Sequence, residues 1–208
     1  MDDVNRSTYE TISTEFSATR HTAWKCVRDF SERHVSNTSK ILDVGCANGK
    51  NMDYLRHACP AADIIGLDTC HNFVRMCAAK GYQVCAADAR HIPFSDEQFD
   101  TVLCIAMFHH MLTDEDRCRT FREILRVLKT GGTCILTCWS VEQPAGSKFT
   151  FHEGVNRVPW NKTQTRYYYV YSEAKFREYF QSFSGITIER IYNECGNWIL
   201  VFRKIITG

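Results

Sequence analysis

The chain has 208 residues, 44% hydrophobic and 24% charged, and its longest clean apolar run is the seven residues 102–108, so disorder and a spanning helix are both excluded. A net charge of +1, with 16 Lys/Arg against 18 Asp/Glu in 1–139 and 9 against 6 in 140–208, is too weak to bind nucleic acid by bulk charge. Eleven cysteines, with no Cys-x-x-Cys pair, argue against a disulfide scaffold or a zinc site. They fit a reducing compartment. The opening residues show no signal or transit pattern, so a cytoplasmic location, extending to the nucleus, is expected.

In chain order, residues 9–30 read as a helix, with Trp24, Val27 and Phe30 recurring at three-residue spacing. Residues 40–45 form a strand ending in glycine, and 51–58 a helix stopped ahead of Pro60. A strand at 63–68, a helix at 73–80 and a third strand at 83–88 follow. A fourth strand covers 101–106, a helix 114–128, closed by Gly131 and Gly132, and a fifth strand 133–138. Short apolar strands separated by helices specify a parallel sheet buried on both faces. The strands at 187–192 and 198–202 are joined by only five residues, too few for a crossover, so they pair as an antiparallel hairpin. The expected fold is α/β: a mostly parallel, Rossmann-like seven-stranded sheet with a C-terminal antiparallel hairpin, the architecture of class I S-adenosylmethionine methyltransferases. One domain spans 1–208, with 1–36 an N-terminal helical segment and 140–185 a basic, aromatic insertion facing substrate.

Such sheets bind ligands beyond the carboxyl ends of their first strands. Asp43, Gly45, Cys46, Asn48 and Gly49 stand there, in a loop whose glycines permit a tight turn at a helix N-terminus. Asp68 ends the second strand, where a carboxylate can clamp ribose hydroxyls. Asp88 and Ala89 end the third, where an acid can meet an adenine amino group. Ala47 occupies the place of a dinucleotide loop's middle glycine, and Asp43 suits an ammonium better than two phosphates. Three acids on three strand ends match the ammonium, ribose and adenine of S-adenosylmethionine in turn. Singly, each could equally cap the helix after it.

The flanks are more specific. Tyr9, Phe16-Ser17, Thr19-Arg20 and Trp24 precede the first strand; Ala87-Asp88-Ala89, Ile92-Pro93-Phe94, Ile105-Ala106 and His109-His110 occupy the centre. Val158-Pro159-Trp160-Asn161, Arg166-Tyr167-Tyr168, Asn193-Glu194 and Gly196-Asn197-Trp198 follow. From Tyr9 to about Lys204 the chain resembles the eukaryotic tRNA wobble-uridine carboxymethyl methyltransferases, including the methyltransferase domain fused to an oxygenase in animals. It departs in carrying Ala47 for the usual glycine and in a short stretch between Trp139 and Trp160.

The resemblance implies methyl transfer from S-adenosylmethionine to the carboxylate of 5-carboxymethyluridine in the tRNA anticodon loop, giving a methyl ester. A carboxylate is ionised at neutral pH and attacks without losing a proton, so catalysis reduces to alignment in a dry pocket. Arg20 and Arg166 are the candidates to hold the acceptor, with His110 after the fourth strand as a third and His109 behind it. Tyr9 and Ile105 join the cofactor set; Tyr167, Glu194 and Asn197 are expected to touch RNA. Residues 148–180 hold ten aromatics among six lysines and arginines, a composition suited to unstacked bases, with Phe176 and Phe180 expected in the core. Cys138 is not a nucleophile of the cytosine-methylating type, because the Pro-Cys such enzymes place after the fourth strand is absent.

The central motifs alone also fit a methyltransferase for a small acceptor, such as a quinone or carboxylic acid, or a silent binding scaffold. No metal is expected in this chain and no membrane contact. The resemblance further implies a small zinc-binding activator protein. In the usual strand order the strand at 83–88 is a sheet edge, and with neither Lys nor Pro it invites pairing.

Overall fold

The structure is a computed structural model and describes residues 3–161 and 163–206; Lys162, one of the six basic residues of the aromatic segment, lies outside them. Strands β1 (Lys40–Val44), β2 (Asp63–Asp68), β3 (Gln83–Ala86), β4 (Phe99–Cys104) and β5 (Leu128–Trp139) run parallel. Strands β6 (Gly154–Trp160) and β7 (Gln164–Val170) form a separate antiparallel hairpin. The C-terminal β8 (Ile186–Glu194) and β9 (Asn197–Lys204) complete a seven-stranded sheet in the order β3-β2-β1-β4-β5-β9-β8, with β9 antiparallel to both neighbours. The expected α/β sheet with its reversed hairpin is therefore present.

Helices cover both faces. Ile41, Leu42 and Val44 of β1 are all fully buried, as a strand between two helical layers must be. One layer contains α5 (Asp114–Val127) and α6 (Glu173–Gln181), whose Phe121, Ile124, Phe176 and Phe180 pack with Val102 and Leu136. The other contains α2 (Lys25–His34) and α3 (Lys50–Ala58), whose Val27, Phe30 and Leu55 pack with Ile41 and Ile135. Local signals start the first layer's helices: Thr113 accepts from Asp116 N at 3.1 Å ahead of Asp114, Glu115 and Asp116, and Ser172 accepts from Lys175 N.

Most boundaries shift by one or two residues from the sequence reading, β3 ending at Ala86 and β4 at Cys104, and three differences are larger in consequence. The helix expected over 9–30 is two, α1 (Asp3–Ser17) and α2, with a break at 18–24. Thr19 N and Arg20 N bond only three residues back, and the Ser17 and Thr19 hydroxyls take Ser13 O and Phe16 O, tightening the last turn. Strand β5 starts at Leu128 rather than after Gly132, because Leu128 already pairs with Phe99 across a register shift. The last hairpin turns on Cys195 and Gly196 alone, both at positive φ (50° and 77°), and not on five residues.

Helix α1 leaves the sheet and bridges two distant elements. Asn5 Nδ2 donates to Tyr167 O (2.8 Å) and its Oδ1 accepts from Tyr167 N (2.7 Å), while Thr8 bonds Thr165 O. Glu10 accepts from His71 N (2.6 Å) and Asn72 N (3.2 Å) at the start of α4 (His71–Ala79). Helix α1 thus roofs the carboxyl ends of β1, β2 and β4. The strand order reverses between β1 and β4, the place where open sheets bind ligands.

Candidate active site

A cleft opens under that roof, its walls mainly apolar with a few convergent polar groups, Arg20, Asn48, Asp68 and Arg166 among them, as small-molecule sites are. Its floor is the loop after β1. Gly45 (φ 76°), Ala47 (φ 48°) and Gly49 (φ 78°) alternate through left-handed backbone and aim the chain at the cleft. Ala47 holds this conformation at a steric cost that a glycine would not bear. Asp68 braces the loop: its Oδ2 accepts from Ala47 N and its Oδ1 from Cys70 N, each at 2.9 Å. A carboxylate has about four acceptor positions, so Asp68, which lines the cleft, keeps capacity for a ribose diol.

Of the residues expected at a cofactor, Tyr9, Gly45, Cys46, Asn48, Asp68, Ala89 and Ile105 line this cleft. Gly49 sits one step outside, as the left-handed start of α3. Asp43 stands behind the loop, wholly buried, with the Asn51 side chain beside it and no hydrogen bond of ordinary geometry on either oxygen. A buried carboxylate so short of donors is a vacancy for positive charge, so the site fits a ligand carrying an ammonium. Asp88 corrects the expectation of an adenine clamp: both its oxygens are held by the Arg90 guanidinium (2.7 and 3.1 Å), which holds the carboxyl down at about 2. Its side chain is spent two residues away, and the neighbouring Ala87 and Ala89 face the cleft instead.

The three residues expected to act on the acceptor all meet in the same cleft. Arg20 lies over Phe16 (4.0 Å) and Trp160 (5.2 Å); Arg166, 5% exposed, lies over the same Trp160 (4.8 Å) with its Nε unpartnered. Two guanidiniums converge on one indole. His110 Nε2 is 3.2 Å from Tyr9 Oη, which also meets Tyr168 Oη at 3.4 Å. Burial and then Arg166 push His110 down to about 3, and burial with His110 and Arg166 beside it pushes His109 well below its ordinary value. Both imidazoles are neutral, so the guanidiniums and Lys50 carry the positive charge of the cleft.

Glu194, Asn197 and Tyr167 do not join them. Glu194 Oε1 accepts from Cys26 N at the start of α2 (3.1 Å), Asn197 bonds Cys195 O inside its turn, and Tyr167 is held to α1 through its backbone. All three stand outside the cleft lining, so the RNA contact expected of them is one made beyond the cleft. Conversely, Phe16, Trp24, Lys50 and Trp139 line the cleft although none of them is among the expected site residues. Lys50 had a signal: a cation in the first turn of a helix opposes the helix dipole, and its Nζ sits over Trp24 at 5.0 Å.

Burial raises Asp43 from 3.8 to about 7 and Asp68 to about 6. The folded protein therefore keeps protons that the unfolded chain has released above 3.8, and stability is lost as pH rises through this window. An ammonium ligand favours ionised Asp43, so its affinity moves the opposite way. Read from ligand-free melting temperatures, the share of stability due to the two carboxyls should fall between about pH 4 and 7, against the rise that neutral His109 and His110 contribute below 6.5, and calorimetric cofactor affinity should rise over the same range. Asp43→Asn should flatten both trends in part, leaving the contribution of Asp68; unchanged slopes would exclude Asp43 as their source.

Comparison with known proteins agrees with the fold and the loop. The methyltransferase domain family matches residues 42–136. A tRNA (carboxymethyluridine(34)-5-O)-methyltransferase of Xenopus tropicalis is 26% identical over 95% of the chain and 40% of its own length, so the chain spans well under half of that relative. A putative methyltransferase of Encephalitozoon cuniculi is 34% identical over 78% of each protein. Among solved structures, the complex between the Haloferax volcanii Trm112 methyltransferase activator and a putative methyltransferase superposes with TM-score 0.78 at 18% identity, covering 98% of this chain and 99% of that one.

Proposed function

The chain belongs to the S-adenosylmethionine-dependent methyltransferases, and from that membership we propose that it methylates the carboxylate of 5-carboxymethyluridine in the tRNA anticodon loop. The observation that carries the reading is the pair Arg20 and Arg166, both over the ring of Trp160 and both lining a cleft whose histidines are neutral. Two adjacent guanidiniums in an apolar site call for an anion between them.

S-adenosylmethionine, when bound, supplies a methyl group on a positively charged sulfur. Asp68 would hold its ribose and the 45–49 loop its amino-acid end, with Asp43 behind. Arg20 and Arg166 orient the acceptor carboxylate by planar, charge-assisted hydrogen bonds. Tyr9, Phe16 and Trp139 wall the cleft and exclude water, which strengthens those bonds. No base is needed, and His110, neutral and tied to Tyr9, acts by position. The test is methyl transfer to an anticodon stem-loop with and without the carboxymethyl group. Turnover should require the carboxylate; transfer to a free carboxylic acid or quinone with no transfer to RNA would overturn the tRNA reading.

We further propose a cytoplasmic location, where a chain with eleven cysteines and no Cys-x-x-Cys pair stays reduced. The edge position of β3 supports a partner as well. Ala87 N donates to Asp68 O (3.1 Å), so by alternation the amides of Val84 and Ala86 face away from β2. A strand of a zinc-binding activator, like the Trm112 of the Haloferax complex, can take these bonds. Coexpression should yield a heterodimer more soluble and more active than the lone chain. Val84→Pro or Ala86→Pro should abolish it while sparing cofactor binding. A fully active, soluble monomer would refute the partnership.

A further inference from the structure

The aromatic segment is less exposed than its composition suggests. Tyr168, Tyr171, Phe176 and Phe180 are buried, and Phe176 and Phe180 lie in the main core. Phe149 is different: it is 40% exposed and reaches the cleft only through its contact with Trp139. Its ring stacks on Phe151 at 5.7 Å with 12° between the planes, and both contact Trp139 edge-on at 5.5 and 5.1 Å. Trp139 lines the cleft and touches Tyr168 at 5.0 Å, which in turn touches His109 and His110. An unbroken chain of rings thus runs from the acceptor side of the cleft to an open aromatic face beyond it.

The loop that presents Phe149 is pinned. Gln143 Nε2 donates to Ser140 O (2.7 Å) and Gly196 O (2.9 Å), and Phe149 N donates to Ser147 Oγ (3.2 Å). Beside the ring, Lys148 is exposed and enters no ion pair among the described residues. A fixed half-stack with one open face, next to a free cation and continuous with the acceptor site, has the chemistry of a base-and-phosphate seat.

We propose that Phe149 is the stacking platform for the unpaired nucleobase adjoining the acceptor uridine, with Lys148 near the phosphate between them. The inference rests on the tRNA reading and adds a second base subsite to it. Hydrolysed to a single nucleoside, the acceptor gains nothing from this face. A longer RNA does.

The experiment is a cycle between protein and RNA on the full chain with its activator. Phe149→Ala should raise KM for a carboxymethylated stem-loop roughly 5- to 100-fold, with kcat and cofactor affinity unchanged, and Phe149→Trp should restore it. Removing the base on one side of the acceptor should cost wild type a similar factor and cost Phe149→Ala almost nothing further. Turnover of the free carboxymethylated nucleoside should not respond to Phe149→Ala. Losses that simply add, at both neighbouring positions, would overturn the platform while leaving the tRNA reading intact. If wild type does not methylate the stem-loop, the tRNA reading itself fails and the platform with it.

Discussion

Arg166→Ala, and separately Arg20→Ala, should lower methyl transfer to a carboxymethylated stem-loop by roughly 10- to 150-fold, the equivalent of one lost charge-assisted contact at about 1.5–3 kcal/mol. Cofactor affinity should hold, because neither guanidinium hydrogen-bonds the 45–49 loop or Asp68. Arg166 is the sharper case: it is 5% exposed, its Nε has no partner, and its guanidinium is carried by Trp160 and Tyr168 at 4.8 and 5.3 Å. A buried cation without a carboxylate is costly unless a ligand completes it. Lysine in its place should not restore turnover, since an ammonium neither stacks flat on the indole nor offers a two-pronged fork. The check is single-turnover rate at saturating cofactor, with calorimetric affinity and a melting curve for each variant. Near wild-type rates for both alanine variants would sink the assignment of the acceptor site.

Much of this site was readable before any coordinates. The loop from Asp43 to Gly49 and the strand-end acid Asp68 followed from glycine spacing and strand pattern, because local backbone geometry is written in nearby residues. Side-chain pairings, near or far in the chain, are what strand and glycine pattern do not carry. Asp88 was assigned to a ligand, yet its partner is Arg90, two residues on, an ion pair that strand patterning does not register. Glu194 holds the backbone of Cys26, 168 residues earlier, a contact no local pattern registers. Arg20 and Arg166 are candidates on family motifs alone; nothing in motif, composition or periodicity brings the two together on Trp160, as the structure does. The helix break at 18–24 escaped for a related reason: the apolar period of Trp24, Val27 and Phe30 belongs to α2 alone, while α1 takes its register from the β6–β7 hairpin and α4.

The loop itself should prove the least tolerant point in the cleft. A Cβ added at Gly45 would stand 2.4 Å from Met107 Cγ and 2.7 Å from Met107 Cβ, and the residue sits at φ +76°. Gly45 cannot retreat, because Gly45 N and Cys46 N both donate to Leu67 O at 2.7 and 3.0 Å. Met107 is 7% exposed and its carbonyl accepts from His110 N at 2.9 Å, so a shift there moves the acceptor side too. Overpacking of this kind costs about 1–3 kcal/mol and left-handed backbone about 1–2 more. Gly45→Ala should therefore lower the melting temperature by roughly 5–15 °C for a chain of this size and abolish measurable cofactor binding. Gly81 separates the two causes. It has φ +78° but nothing within 4 Å of an added Cβ, so Gly81→Ala bears the backbone cost alone and should keep full cofactor affinity. Differential scanning calorimetry of the pair, with and without S-adenosylmethionine, reads the packing cost as the difference between them. Equal losses in the two variants would mean that the loop tolerates the methyl and that Met107 does not fix the floor of the cleft.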